Sequence, residues 1–236
     1  MRLILFDIDG TLINSSRSGR VAMGRALQDV FGTPGAVQSY EFAGRTDRRI
    51  VSDLMVAEGW SAAEIDARLP LFYKRMVAAG RDLFTPERIR PCPGVPALLD
   101  ALAARDDVAL ALLTGNIRDT VPLKLAAAGI DSARFQVGAF GSDSADRNEL
   151  FDIALQRAET TLGLRPAVDD VIVVGDTPAD IGCARAGGSR VLAVATGPFP
   201  AEVLLAHRPD YLFADLSATD DVLRAMFSRE SVSAGG

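Results

Sequence analysis

The sequence predicts an α/β fold, a Rossmann-like parallel sheet core carrying an inserted all-helical cap. Two observations predict the core and a third predicts the insert. Short apolar runs recur at residues 3–8, 108–113, 171–174 and 191–195, with weaker ones at 135–137 and 211–213. Between them lie stretches of helical period, and this alternation is the sequence form of parallel strands joined by crossover helices. Residues 15–84 break the pattern, because they hold helical stripes and no convincing strand. The expected division is therefore 1–14 with 85–236 for the core and 15–84 for the cap.

Taken in order, the first run is interrupted by Asp7 and is too short for a signal-peptide core or a membrane span. In the cap, Gly44-Arg45-Thr46-Asp47-Arg48-Arg49 reads as a loop entering a helix, with Thr46 or Asp47 as its N-cap. Ile50, Leu54 and Ala57 form the stripe of that helix. Ile65, Leu69, Phe72, Met76 and Ala79 form the next, which is expected to kink or divide at Pro70. In the core, Val95, Leu98, Leu99 and Leu102 recur at i, i+3, i+4 and i+7. Phe151, Leu155, Ala158 and Leu162 form a second core helix that Gly163 and Pro166 close and that Arg147 is expected to open. The last residues, 228–236, are small and polar and read as a frayed tail.

Composition narrows the function. The 236 residues carry 25 Lys and Arg against 31 Asp and Glu, a net charge of −6, which excludes a general nucleic-acid backbone binder. Residues 15–85 are nevertheless +2, the sign an anionic ligand prefers, and the remainder is −8. The acids are 23 Asp and 8 Glu; the bases are 23 Arg and only two Lys, Lys74 and Lys124. Two distant cysteines, Cys92 and Cys183, give neither a disulfide framework nor a metal-binding spacing, and a cytoplasmic setting is expected.

In a doubly wound parallel sheet, ligands sit beyond the carboxyl ends of the strands. After the first run comes Asp7-Ile8-Asp9-Gly10-Thr11. On extended backbone Asp7 and Asp9 project to the same side, and Gly10 permits the following turn. Composition alone would produce the D-x-D-G-T pattern about 0.01 times in this chain. The run ending at Leu113 leads into Thr114-Gly115-Asn116, whose hydroxyl, amide and backbone N–H groups can bind phosphoryl oxygens beside Gly10 and Thr11. The run ending at Val174 leads into Gly175-Asp176-Thr177-Pro178-Ala179-Asp180. There Thr177 caps a helix beginning at Pro178, so Asp180 faces back toward Asp176. Gathering Asp7, Asp9, Asp176 and Asp180 sets like charges against one another, and a divalent cation resolves that repulsion. Oxygen ligands without His or Cys point to Mg²⁺. The only histidine, His207, reads as a surface residue.

These motifs, in this order and each after an apolar strand, resemble the haloacid dehalogenase superfamily, specifically its phosphatases with a helical cap inserted after the first motif. The resemblance implies Asp7 as nucleophile, Asp9 as general acid and base, and Thr114 as a phosphoryl ligand. It implies Mg²⁺ held by Asp7, Asp176 and the Asp9 carbonyl, with Asp180 in support. The family also places a basic residue, commonly Lys, before the last motif. Lys74 lies in the cap and Lys124 follows Thr114 closely, so the role falls to Arg147, whose guanidinium can engage two oxygens. Arg45 lies in a stretch resembling that by which phosphoglycolate phosphatase-like relatives approach substrate, where it could meet a carboxylate.

The expected activity is Mg²⁺-dependent hydrolysis of a small phosphorylated metabolite, phosphoglycolate-like or a sugar phosphate, with neither nucleic acid nor membrane as partner. A phosphomutase of the β-phosphoglucomutase type shares every motif and stays open. A receiver-like phospho-accepting module needs neither the cap nor an acid at Asp9, a silent binding protein would lack a motif residue, and dehalogenation needs no second acid or metal.

Overall fold

The computed structural model describes residues 1–228; the rest of the expected tail lies outside the described residues. In chain order, β1 (Arg2–Phe6) and the two-residue β2 (Ile13–Asn14) lead into three helices, α1 (Ser18–Phe31), α2 (Asp47–Ala57) and α3 (Ala62–Leu83). The chain returns through β3 (Arg90–Pro91) to α4 (Val95–Ala103), β4 (Val108–Thr114), α5 (Val121–Ala127), β5 (Val137–Phe140) and α6 (Glu149–Leu162). It ends with β6 (Val171–Gly175), α7 (Pro178–Ala186), β7 (Arg190–Val194), α8 (Ala201–Ala206), β8 (Tyr211–Phe213) and α9 (Thr219–Phe227).

Six strands form one parallel sheet in the order β5-β4-β1-β6-β7-β8. β1 is central, with Phe6 opposite Leu112 of β4 and Val174 of β6. The chain fills one side of the sheet through β4 and β5, then returns to fill the other from β6 outward. Asp7 therefore emerges where the strand order reverses, the crevice in which open α/β sheets bind ligands.

Alternation along β1 explains the layers. Ile4 and Phe6 pack with α4, α5 and α9 through Leu98, Leu99, Leu125 and Met226. Leu3 and Leu5 pack on the other face with α6, α7 and α8 through Phe151, Ile181 and Leu204. A strand buried on both faces reads as a continuous apolar run, which is why β1, β4 and β6 were legible. The first of these layers continues into the inserted helices, where α1 packs against α3. β2 pairs antiparallel with β3, Ile13 opposite Pro91 and Asn14 opposite Arg90, tying together the chain entering and leaving the insert.

Two local expectations are corrected. α3 is not divided at Pro70, because Ile65, Leu69, Phe72, Met76 and Leu83 are all buried along one face and hold the helix against the lost hydrogen bond. Pro70 is exposed, so its cost is not offset by packing. Pro70→Ala is accordingly expected to raise unfolding stability by about 1–3 kcal/mol, read from the urea midpoint; an unchanged or lowered midpoint would show that α3 is not strained there. Arg147 also does not open α6, which starts at Glu149. It occupies the turn before the helix.

Candidate active site

Four loops at the carboxyl ends of adjacent strands build the site. Asp7 follows β1, Thr114 ends β4, Asp176 follows β6, and Thr196 follows β7. The backbone N–H of Asp7 donates to the Val174 carbonyl (2.9 Å), fixing the first loop against the third. Gly10, at φ +91°, makes the turn and donates to the Ile13 carbonyl at 2.7 Å. A Cβ at Gly10 or at Gly197 would lie 2.2 or 1.7 Å from Asp176 Oδ2, so both loops close on that carboxylate only as glycine.

At α7 the capping box forms between Thr177 and Asp180. Asp180 Oδ2 accepts from the Thr177 N–H (3.0 Å) and hydroxyl (2.7 Å), and the Asp180 N–H donates to Thr177 Oγ1 at 3.2 Å. The other Asp180 oxygen accepts from the Arg147 guanidinium. Thr177 is thus the cap expected from sequence, and Asp180 is turned toward Asp176 with both oxygens engaged. Asp7, Asp176 and Asp180 each present a carboxylate oxygen within 4.8 Å of the others. Thr11 Oγ1 donates to Asp176 Oδ1 at 2.8 Å, while Asp176 Oδ2 is buried and has no hydrogen-bond partner. A buried anionic oxygen left bare in an all-carboxylate cluster is what a hard divalent cation would satisfy.

Burial dominates the electrostatics here. It pushes Asp7 up to about 7 against the pull of Arg147, with Asp180 and Asp9 adding to the rise. Asp176 is also raised well above the ordinary carboxylate value, by burial first and then by the charges of Asp7 and Asp180. Asp9 behaves oppositely. Burial would raise it, but the charge and hydrogen bond of Lys124 and the amide of Asn116 hold it below the ordinary carboxylate value.

Both cations of the site are buried side chains. Arg147 Nη2 donates to Asp7 Oδ1 at 3.2 Å as well as to Asp180, and it is not paired with Asp143 or Asp146. Its Nε is buried without a partner. Lys124, which the spacing argument set aside, is 4% exposed and reaches the site from α5. It donates to Asp9 Oδ2 at 2.6 Å and to Asn116 Oδ1 at 2.5 Å. Linear distance from Thr114 misled: the turn at Arg118–Thr120 and one turn of α5 bring residue 124 back over the strand end. Asn116 Nδ2 in turn donates to Asp9 Oδ2 (2.7 Å) and to Thr114 Oγ1 (2.8 Å). Thr114 is fully enclosed, and its hydroxyl also accepts the Asn116 N–H at 3.3 Å. Asp7 and Asp9 therefore serve different partners while lining the same cavity.

The insert is fastened over these loops. Thr46 caps α2, accepting from the Arg49 N–H, and its hydroxyl donates to the Ala145 carbonyl at 3.0 Å. Asp47 N–H donates to the Gly115 carbonyl (2.7 Å), and Asp47 Oδ2 accepts from the Ile117 N–H (2.9 Å). Burial pushes Asp47 up to about 6, against the nearby charge of Lys124 and the Ile117 hydrogen bond. A carboxyl raised above its ordinary 3.8 favours the protonated folded state. Its contribution to stability is full below about pH 4 and is lost as pH rises through 6. Asp47→Asn keeps an acceptor for Ile117 and removes the charge. It is expected to gain about 1–3 kcal/mol of unfolding stability over the natural protein at pH 7.5 and none at pH 4; equal gains at both pH values, in parallel thermal melts, would contradict that assignment.

A cavity of about 610 Å³ opens beside these groups. Asp7, Asp9, Gly115, Asn116, Lys124, Arg147 and Asp176 line it from the core, and Arg17 and Arg45 from the insert. Arg45 already has company, lying 3.8 Å from Asp53 and with its guanidinium over the Tyr40 ring. Thr11, Thr114 and Asp180 stand behind the lining, and His207 is exposed at the end of α8. Sequence reading set Lys124 aside, took Asp47 only as a possible helix cap, and overlooked Arg17 and the Thr196-Gly197 loop. Of these only the last had a usable signal, its position after an apolar run. No helix among the described residues is long and apolar enough to cross a membrane.

Comparison with known proteins agrees with the geometry. The haloacid dehalogenase-like hydrolase family matches residues 4–194. A phosphoglycolate phosphatase of Synechococcus elongatus is 28% identical over 227 residues, covering 96% of this chain and 97% of its own. A pyrophosphatase, PpaX, of Bacillus pumilus is 27% identical over 221 residues, covering 91% and 92%. A crystal structure of a hydrolase from Pseudomonas syringae superposes with a TM-score of 0.71 at 20% identity, covering 97% of this chain and all of the other, and so shares the fold. With the aspartate pairs at the ends of β1 and β6, the parallel sheet and the helical insert all accounted for, the chain belongs to the haloacid dehalogenase-like hydrolase family.

Proposed function

We propose that this phosphatase hydrolyses a small phosphorylated metabolite, with Mg²⁺ as cofactor and an aspartyl-phosphate on Asp7 as intermediate. The observation that carries the reading is the pairing of a cavity-lining Asp7 carboxylate with Arg147 on one side and the bare Asp176 Oδ2 on the other. Asp7, Asp176 and the Asp9 carbonyl would hold Mg²⁺, which supplies positive charge to the transferring group and to the nucleophile. Asp180 positions Arg147 and the start of α7.

The residues divide two steps. Asp7 carboxylate oxygen forms a bond to phosphorus as the ester P–O bond breaks, and the leaving oxygen takes a proton from Asp9. Asp9 then accepts a proton from the water that attacks phosphorus, and the Asp7–phosphate bond breaks to release inorganic phosphate. Lys124 and Asn116 hold the Asp9 carboxylate in place and favour its ionised form for the second step. A phosphate dianion entering beside Asp9 opposes that tendency and favours proton uptake for the first. Arg147 Nε is a free buried donor for a phosphoryl oxygen. The Thr114-Gly115-Asn116 loop and Gly10-Thr11 frame the other side.

The test is phosphate release from a panel of phosphorylated metabolites with Mg²⁺, repeated after chelation and with hydroxylamine trapping of the acyl phosphate. Chelation is expected to abolish turnover, and readdition of Mg²⁺ to restore it. Turnover indifferent to chelation, or isomerised sugar phosphate without phosphate release, would overturn the proposal.

A further inference from the structure

The cavity contains five basic side chains, and four of them are engaged. Lys124 is held by Asp9 and Asn116, and Arg147 by Asp7 and Asp180. Arg45 lies beside Asp53 and Tyr40. Arg20 donates to the carbonyls of Gln38 (3.1 Å) and Tyr40 (2.8 Å) as well as to that of Val37. Arg17 differs. It lines the same cavity and is exposed, and among the described residues it has neither an ion pair nor a side-chain hydrogen bond.

Its backbone is also unusual. Ser16 and Arg17 occupy the left-handed region in succession, at φ 45° and 63°. Neither is glycine, so the conformation costs energy and must be imposed by its surroundings. The surroundings are visible: Asn14 Oδ1 accepts the Ser16 N–H at 3.0 Å, and the Ser15 carbonyl accepts the Ser18 N–H at 2.8 Å. This turn directly follows β2, whose pairing with β3 anchors it to the core. α1 begins immediately after Arg17 with no side-chain cap and no acidic residue in its first turn. A guanidinium is therefore presented to the cavity on a fixed turn, with nothing nearby on its own helix start to neutralise it.

We infer that Arg17 is a specificity-determining residue that binds a second anionic group on the leaving-group side of the substrate. This rests on the phosphatase reading above, since the phosphoryl group itself occupies Asp7 and Arg147. The substrate class is then a phosphate compound bearing a further carboxylate or phosphate, whose charge Arg17 meets with two N–H donors. Arg45, already beside Asp53, is the less available candidate for this task.

The experiment compares kcat/KM for phosphoglycolate, pyrophosphate and methyl phosphate, the last lacking a second anion. Arg17→Asn suits the site because Asn tolerates left-handed backbone while removing the charge, and Arg17→Lys restores a cation without the fork. The ratio of kcat/KM for the better of the two substrates with a second anionic group to that for methyl phosphate is expected to fall at least tenfold in Arg17→Asn, mainly through KM, and to recover in part in Arg17→Lys. A preference of the natural enzyme for phosphoglycolate identifies the anion as carboxylate, and one for pyrophosphate identifies phosphate. A loss shared equally by all three substrates, or no loss, would overturn the inference. Where phosphoglycolate is the preferred substrate, a second comparison needs no variant: phosphoglycolate against its carboxyl methyl ester on the natural enzyme, where equal kcat/KM would also overturn it. Failure on these compounds with turnover of a phosphate ester that has no second anion would overturn the inference, whereas failure on the whole panel of phosphorylated metabolites would instead reject the phosphatase reading.

Discussion

Asp7→Asn is expected to lower Mg²⁺-dependent phosphate release at least about a thousandfold, roughly 4 kcal/mol in the barrier, without unfolding the protein. The rate falls because the amide offers no anionic oxygen to phosphorus, and because one of the groups that would hold the cation is gone. The fold survives for an electrostatic reason. Burial and the charges of Asp180 and Asp9 already work against ionised Asp7, so removing its charge relieves the cluster, and Arg147 keeps Asp180 as its partner. The metal-free variant should therefore melt no lower than the natural protein, and hydroxylamine should trap no acyl phosphate from it. A loss of tenfold or less would mean that phosphorus is attacked by something other than Asp7.

The same residues show why parts of this site could be read from sequence and others could not. Asp7, Thr114 and Asp176 each follow an apolar run, and in a parallel sheet the strand ends are neighbours by construction. Thr177 and Asp180 obey a helix-capping rule that is local in the chain. Lys124 obeys no such rule. Its contact with Asp9 spans 115 positions and depends on the rotation of α5 above the strand end. Arg17 is equally hidden, because left-handed backbone at a serine and an arginine is imposed by the β2 turn and has no signature in residue type. Pro70 shows the opposite case: the division of α3 that a local rule allows was overridden by the buried stripe on either side of it. What sequence conveyed was periodicity and local chemistry, and what it withheld was the placement of side chains by tertiary packing.

Removing the Arg147 guanidinium is expected to damage stability and rate together, which distinguishes it from Asp7. Arg147 is 9% exposed and bridges Asp7 and Asp180, the latter wholly buried. Breaking a buried ion pair by deleting one partner leaves uncompensated charge and costs about 3–5 kcal/mol. For a chain of this size that corresponds to a fall of roughly 6–20 °C in the thermal midpoint. Arg147→Met should show this fall at pH 8. At pH 5 the fall should be smaller, because Asp7, already raised by burial, can then neutralise itself by taking up a proton. Asp180→Asn combined with Arg147→Met should recover part of the midpoint, since the charge left bare is removed. It should not recover the rate, expected to be at least about a hundredfold down, because the phosphoryl oxygens would still lack their donor. Arg147→Lys should fall between the two: an ammonium supplies charge and can meet both carboxylates as Nη2 alone does, but it lacks the further guanidinium donors, Nε among them, for a phosphoryl oxygen. If the double variant regained activity along with stability, Arg147 would be holding the fold alone, and the cation that faces the phosphoryl group would have to be sought in Lys124.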